Sequence, residues 1–185
     1  MVFWHPKGWT VWQVIEQYMR RVYQENGYQE VRCPQIIDRV LWEKSGHWEH
    51  FKAGMFTTES EKHEYAIKPM NCPGGLLVYK SRRRSYRDLP MRIAELGQVH
   101  RHEMSGVLHG LFRVRGFTQD DAHIFCTVDQ IEDDVKEVIR FCNFIWKTFG
   151  FTEVKAYLST RPEKAVGEEA RWEQATRSLE AAIKA

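Results

Sequence analysis

The sequence lacks a membrane span, a secretion signal and a disulfide framework. No uninterrupted apolar run reaches the roughly 18 residues that a bilayer-crossing helix needs, so no membrane partner is expected. The opening MVFWHPKGW does not follow the basic-then-apolar order of a signal peptide. Four cysteines stand at positions 33, 72, 126 and 142 with no C-x-x-C among them. Without a secretion signal, that favours free thiols in a reducing, cytoplasmic setting over cross-links. Strong charge of either sign is also missing. A net charge of +2 announces no broad nucleic-acid-binding surface and leaves only local clusters to consider. One such cluster is Arg82-Arg83-Arg84 with Arg87 close by, for which a solvated helix face is the commoner explanation. No internal repeat, low-complexity tract or linker interrupts the 185 residues, a length sufficient for one domain with a real core.

What is present is a mixed pattern of helices and short strands. Seven tryptophans, a high number, supply packing anchors. Trp12, Ile15, Met19 and Val22 fall at helical spacing, and Asn26-Gly27 stops that helix, predicted over 9–26. Residues 28–32 read as extended, ending at Pro34. Asp38 is placed to cap a short helix over 38–44, closed by Ser45-Gly46. Residues 55–58 and 65–68 read as strands around a polar turn. Pro73 suits the first turn of a helix running towards Tyr86. Farther on, Thr127 and Gln130 form a capping-box pattern. They precede an apolar stripe of Ile131, Val135, Val138, Ile139, Cys142, Ile145, Trp146 and Phe149, closed by Gly150. A strand is predicted over 151–158, a loop over 161–167 and a more polar helix over 168–184. The expected fold class is α+β, an antiparallel sheet flanked by helices.

The stretch from Met91 to Phe125 is dense in groups that hold anions or metals. If residues 92–103 are extended, Glu95, Val99, Arg101 and Glu103 share one face; a second run over 115–125 puts Phe117, Gln119, Asp121, His123 and Phe125 on one face. A hairpin through the Gly106–Gly110 loop would set the two groups side by side. Arg101 and Arg113 could grip phosphate or carboxylate in bidentate fashion. Asp121 and His123 could serve a metal or a substrate hydroxyl. A polar sheet face with its charges in water explains the same alternation equally well, so the pattern alone marks a possible site and not its use.

Three strings taken together are more specific: SGHW at 45–48, KPMNCPG at 68–74 and RVRGFTQDDAHIF at 113–125, with Arg101 and Glu103 ahead of a glycine-bearing loop. In order and spacing they resemble the threonyl-tRNA synthetases, a class II aminoacyl-tRNA synthetase family. The likeness runs through the LSTRPEK string at 158–164. It implies the class II catalytic fold, with the first helix and the Pro34 segment as motif 1, which forms a homodimer interface, and the central hairpin as motif 2. It implies that Arg101 binds the ATP α-phosphate and the amino-acid carboxylate, that Glu103 contacts adenine, that Phe117 stacks on it and that Arg113 lies along the phosphates. Gln119 would sit near the substrate, Asp121 would accept the threonine hydroxyl proton, and His47 would approach the terminal ribose of tRNA(Thr). Cys72 and His123 match two of three Zn²⁺ ligands, a soft thiolate and an imidazole being apt zinc donors. ATP would arrive with Mg²⁺. A site built on a hydroxyl can reject valine by roughly 10⁴-fold or more, whereas serine loses only a methyl group, a difference of about 1–3 kcal/mol.

Departures accompany the likeness. Gly75 stands where the family has histidine, and His102 where it has asparagine. The third zinc ligand, motif 3 and the anticodon-binding domain have no counterpart in these residues, so the expectation is a partial catalytic domain over 1–185, active only within a complete enzyme. A truncated, non-catalytic paralogue that dimerises or binds a nucleotide or tRNA-like partner is the alternative.

Overall fold

A computed structural model describes residues 2–163, 165 and 167–184. The chain divides into two compact units, Met1–Arg84 with Arg92–His123, and Ser85–Met91 with Ile124–Ala185.

The first unit opens on α1, Pro6–Glu25, with proline in its first turn and Met19, Val22 and Tyr23 buried on one side. The predicted strand at 28–32 shortens to β1, Gln29–Glu30. Next come β2, Ile36–Asp38, and α2, Arg39–Lys44; the Asp38 carboxylate caps α2 by accepting from the Val40 N–H at 2.8 Å. Gly46, at φ +75°, turns the chain into the single helical turn α3, His47–His50. The hairpin β3, Phe56–Ser60, and β4, His63–Ile67, reverses through Glu61 and Lys62, at φ +51° and +65°. Two consecutive positive φ values give the primed turn whose twist suits a two-residue hairpin. Strand β2 pairs antiparallel with β4 on its other edge. Trp42 from α2 and Trp48 from α3 close over Met55 and Ala66 to form one core, with Ile37 and Phe51 packed around it.

Helix α4, Cys72–Lys80, has Pro73 in its first turn and ends well short of Tyr86. Arg82–Arg84 therefore lie in the following loop, not on a helix face; Arg84 donates to the Tyr79 carbonyl at 2.9 Å and packs over the Tyr79 ring. Strands β5, Met91–His100, and β6, Gly116–Phe125, are the long strands of a second sheet ordered β1-β5-β6. The fold class is α+β as expected, with one addition: β1 runs parallel to β5, Gln29 opposite Ile93. The strand predicted to reach 103 stops at His100, so Arg101 and Glu103 lie beyond its end, although the Arg101 N–H still donates to the Arg115 carbonyl at 2.8 Å.

In the second unit the capping box is formed, the Thr127 N–H donating to Gln130 Oε1 at 2.9 Å ahead of α5, Ile131–Thr148. Helix α5 packs on α6, Glu169–Lys184. Its most buried apolar residue is Phe141, outside the predicted stripe, and Trp146 and Phe149 are exposed. Residues 151–158 form no strand and are mostly exposed. Their apolar pattern is suited to a ladder, but among the described residues they pair with no strand. No helix among the described residues is long and apolar enough to cross a membrane.

Candidate functional site

The segment from Lys68 to Gly75 runs along the face of β6 that carries Phe117, Gln119, Asp121 and His123. It meets that face at three successive levels. At the first, the Arg101 Nε–H donates to the Pro69 carbonyl at 3.2 Å, and its guanidinium lies 5.3 Å from the centre of the Phe117 ring. At the second, Asn71 Nδ2 donates to Asp121 Oδ2 at 3.0 Å and, more loosely, to Gln119 Oε1 at 3.4 Å. At the third, the imidazole of His123 lies over Gly75, where an added Cβ would stand 3.3 Å from Nδ1. A side chain at 75 would therefore need the ring to give by a few tenths of an ångström.

Buried polar groups hold this segment down. The Lys68 ammonium is fully buried and pairs with Glu95 at 2.7 Å; the same Glu95 oxygen accepts from the Cys33 N–H at 2.9 Å. Glu95, grouped by alternation with the candidate ligands, is thus an internal counter-ion and is not presented to solvent. The Lys68 backbone is tied on both sides, its N–H donating to Gln35 O at 2.7 Å and its carbonyl accepting from His100 N–H at 2.9 Å. Burial, and then the Glu95 charge, push the Cys33 thiol up to about 11, so this cysteine is a neutral packing group. Its sulfur needs Gly74 opposite, where a Cβ would come within 2.7 Å.

The remaining predicted residues lie around this strip. Glu103 and Arg113 bond each other, Glu103 Oε2 accepting from Arg113 Nη2 at 3.0 Å and from Nε at 3.2 Å. The pair is solvent-accessible, so Arg113 can exchange this carboxylate for a phosphate at small cost. His47 reaches the strip's flank through Met70, with Nε2 3.3 Å from the sulfur and Nδ1 2.8 Å from Ser45 Oγ. His102 packs edge-on against Phe56 at 5.3 Å, and its N–H donates to the Gly54 carbonyl. Its ring has a packing role here.

The expected zinc site is not shown among the described residues. Cys72 starts α4, and its thiol is raised above the ordinary range by crowding around the sulfur and then by the Asp121 charge, although the residue as a whole is exposed. Among the described residues, no group of three or more His, Cys, Asp or Glu side chains could hold a metal ion. Cys72 and His123 alone fall short of the three or four protein ligands of a zinc site. These residues do not by themselves fit the ion.

Sequence reasoning missed Lys68, Asn71 and Gly97. The first two stand inside the KPMNCPG string, and a glycine in mid-strand signals a close approach; Gly97 provides it for Asn71.

Comparison with known proteins bears on this geometry. Residues 56–182 match the family described as the tRNA synthetase class II core domain (G, H, P, S and T). The chain is 60% identical over 185 residues to the threonine–tRNA ligase of Polynucleobacter necessarius subsp. necessarius, and equally so to that of Methylococcus capsulatus. It is covered completely in both and spans 29% of the length of each. Among solved structures, the RNA binding domain of threonyl-tRNA synthetase from Cryptosporidium parvum Iowa II superposes with a TM-score of 0.92 at 41% identity, over 98% of this chain and 45% of that one. Giardia lamblia prolyl-tRNA synthetase, solved with prolyl-adenylate, has the same fold: TM-score 0.69, 22% identity, 78% of this chain and 30% of that one.

Proposed function

This chain belongs to the class II tRNA synthetase core-domain family, and on that premise we propose that it is the first part of the catalytic domain of a threonine–tRNA ligase. The complete enzyme would join threonine to ATP as threonyl-adenylate, releasing pyrophosphate, and then pass the threonyl group to tRNA(Thr). The observation that carries the reading is the three-level alignment of residues 69–75 with β6, which brings a guanidinium, a carboxylate, an amide and an imidazole onto one strip.

On this reading Arg101, already braced on Pro69 and Phe117, faces the α-phosphate and the amino-acid carboxylate. A fixed cation stabilises the negative charge that gathers at the α-phosphorus without reorganising during the reaction. Arg113 leaves Glu103 for the phosphates of Mg²⁺-bound ATP, which frees Glu103 for adenine; Phe117 offers its ring to the base. Asp121 takes the substrate hydroxyl, Gln119 flanks it, and His47 waits beside the tRNA ribose. Cys72 and His123 would be two ligands of a Zn²⁺ whose remaining donors come from outside these residues. A homodimer formed through α1 and the Pro34 segment, and a cytoplasmic location, belong to the same proposal.

The test is threonine-dependent exchange of pyrophosphate into ATP by the complete synthetase. Arg101→Ala should lower the exchange rate about 10²–10³-fold, the usual consequence of removing a group that stabilises the developing charge. Exchange indifferent to threonine, or to loss of Arg101, would contradict the reading; no exchange at all by the complete protein would favour a non-catalytic nucleotide- or tRNA-binding module. The isolated chain should show little or no exchange.

A further inference from the structure

Asn71 occupies the position just before α4 where an asparagine side chain ordinarily accepts from the first free N–H groups of the helix. Here it makes no such cap. The side chain turns away from the helix it should cap and bonds two residues of β6, Asp121 and Gln119. It is 1% exposed. The room it occupies exists because residue 97 is glycine: a Cβ there would stand 2.2 Å from Asn71 Oδ1. The orientation of the amide is dictated by its neighbours. Asp121 Oδ2 and Gln119 Oε1 both serve as acceptors, so the NH₂ half of Asn71 faces them. This choice leaves Asn71 Oδ1 buried with no hydrogen-bond partner. A buried amide that forgoes its cap and leaves one acceptor unpaired is placed for something other than stability.

We propose that Asn71 is a positioning residue for hydroxyl recognition. By engaging Asp121 Oδ2 it holds the carboxylate in one orientation, with Oδ1 left for a substrate hydroxyl. By engaging Gln119 Oε1 it leaves the Gln119 NH₂ as the end that meets the ligand. Both groups are then oriented before threonine arrives, and the difference between threonine and its methyl isostere valine is read by side chains already held in place. This inference rests on the threonine-ligase reading for its substrate and adds to it a residue that does not touch that substrate.

The test is Asn71→Leu in the complete synthetase. Leucine is close in shape, cannot bond Asp121, and removes the unpaired acceptor, so the fold should keep its melting temperature within about 3 °C. The KM for threonine should rise about tenfold, with kcat and the KM for ATP within about threefold, and discrimination against valine should fall about tenfold, as expected for loss of one charge-assisted bond. A crystal structure of the variant should show Asp121 and Gln119 rotated from their wild-type orientations. A threonine KM and a valine discrimination within twofold of wild type would overturn the proposal, as would unmoved Asp121 and Gln119 side chains. A wild-type enzyme that does not activate threonine, combined with displaced side chains in the variant, would overturn the ligase reading and leave the positioning bond standing.

Discussion

The two faces of the β5–β6 pair could hardly differ more. On one face, Gln119 and Asp121 of β6 are bonded by Asn71 of the Lys68–Gly75 segment, and the His123 ring lies beside Gly75. The even-numbered Leu96, Gln98 and Thr118 border a cavity of about 630 Å³ that Trp4, Trp9 and Trp12 also line, and Phe117 of β6 touches it too. Trp9 and Trp12 stack at 6.1 Å, and the cavity's ion pairs, Arg20 with Glu30 at 3.0 Å and with Glu16 at 3.1 Å, are open to solvent. One face offers volume and aromatic surface. The other offers a cation, a carboxylate, an amide and an imidazole in a row. Chemistry follows fixed, convergent polar groups rather than space, because only these are worth more to a transition state than to a ground state. The proposed site therefore belongs to the strip.

That comparison can be broken at its foundation first. Lys68→Ala leaves the Glu95 carboxylate buried beneath the strip without its cation, and should cost about 3–5 kcal/mol in urea unfolding. A loss below about 1 kcal/mol would mean that the strip is not held from beneath. Next, Gly97→Ala must displace Asn71 or the strand, at about 1–3 kcal/mol; an unchanged unfolding midpoint would show that Asn71 does not sit against Gly97. A pH titration then reads Cys33. Its folded thiol ionises only near 11, above its ordinary value near 9, so the unfolded chain loses its proton first. The stabilising contribution is complete below about pH 9 and falls as pH rises towards 11. Cys33→Ala should flatten that alkaline decline, and an identical slope in the variant would place the titration elsewhere. The smallest effect belongs to the rim. Arg113→Ala should change stability by less than about 1 kcal/mol, since its Glu103 pair is exposed, while raising the KM for ATP. A large loss of stability would make the pair structural.

Much of this arrangement was legible in the sequence, for identifiable reasons. Asp38, Pro73 and the Thr127–Gln130 box are local signals: local hydrogen bonds fulfil the first and last, and Pro73 sits in the first turn of α4. Alternation along 117–123 placed Phe117, Gln119, Asp121 and His123 on one face, since a strand has only two. The same rule misled at Glu95, because alternation states which face a residue takes and not whether another segment covers it; the cover is Lys68, 27 residues away in sequence. The strand predicted over 151–158 failed for the complementary reason: strand propensity needs a neighbouring edge. Asn71 was unreadable as a positioning residue. Its sequence context says helix cap, and only the tertiary placement of β6 and the gap at Gly97 turn its side chain elsewhere.

The most direct test is a crystal structure of the complete synthetase bound to a non-reactive threonyl-adenylate analogue. The account predicts that the analogue lies along the strip, its phosphate oxygens on Arg101 and its hydroxyl within hydrogen-bonding distance of Asp121, with the Asn71–Asp121 bond intact. An analogue seated instead in the tryptophan-lined cavity, with Arg101 and Asp121 untouched, would contradict it.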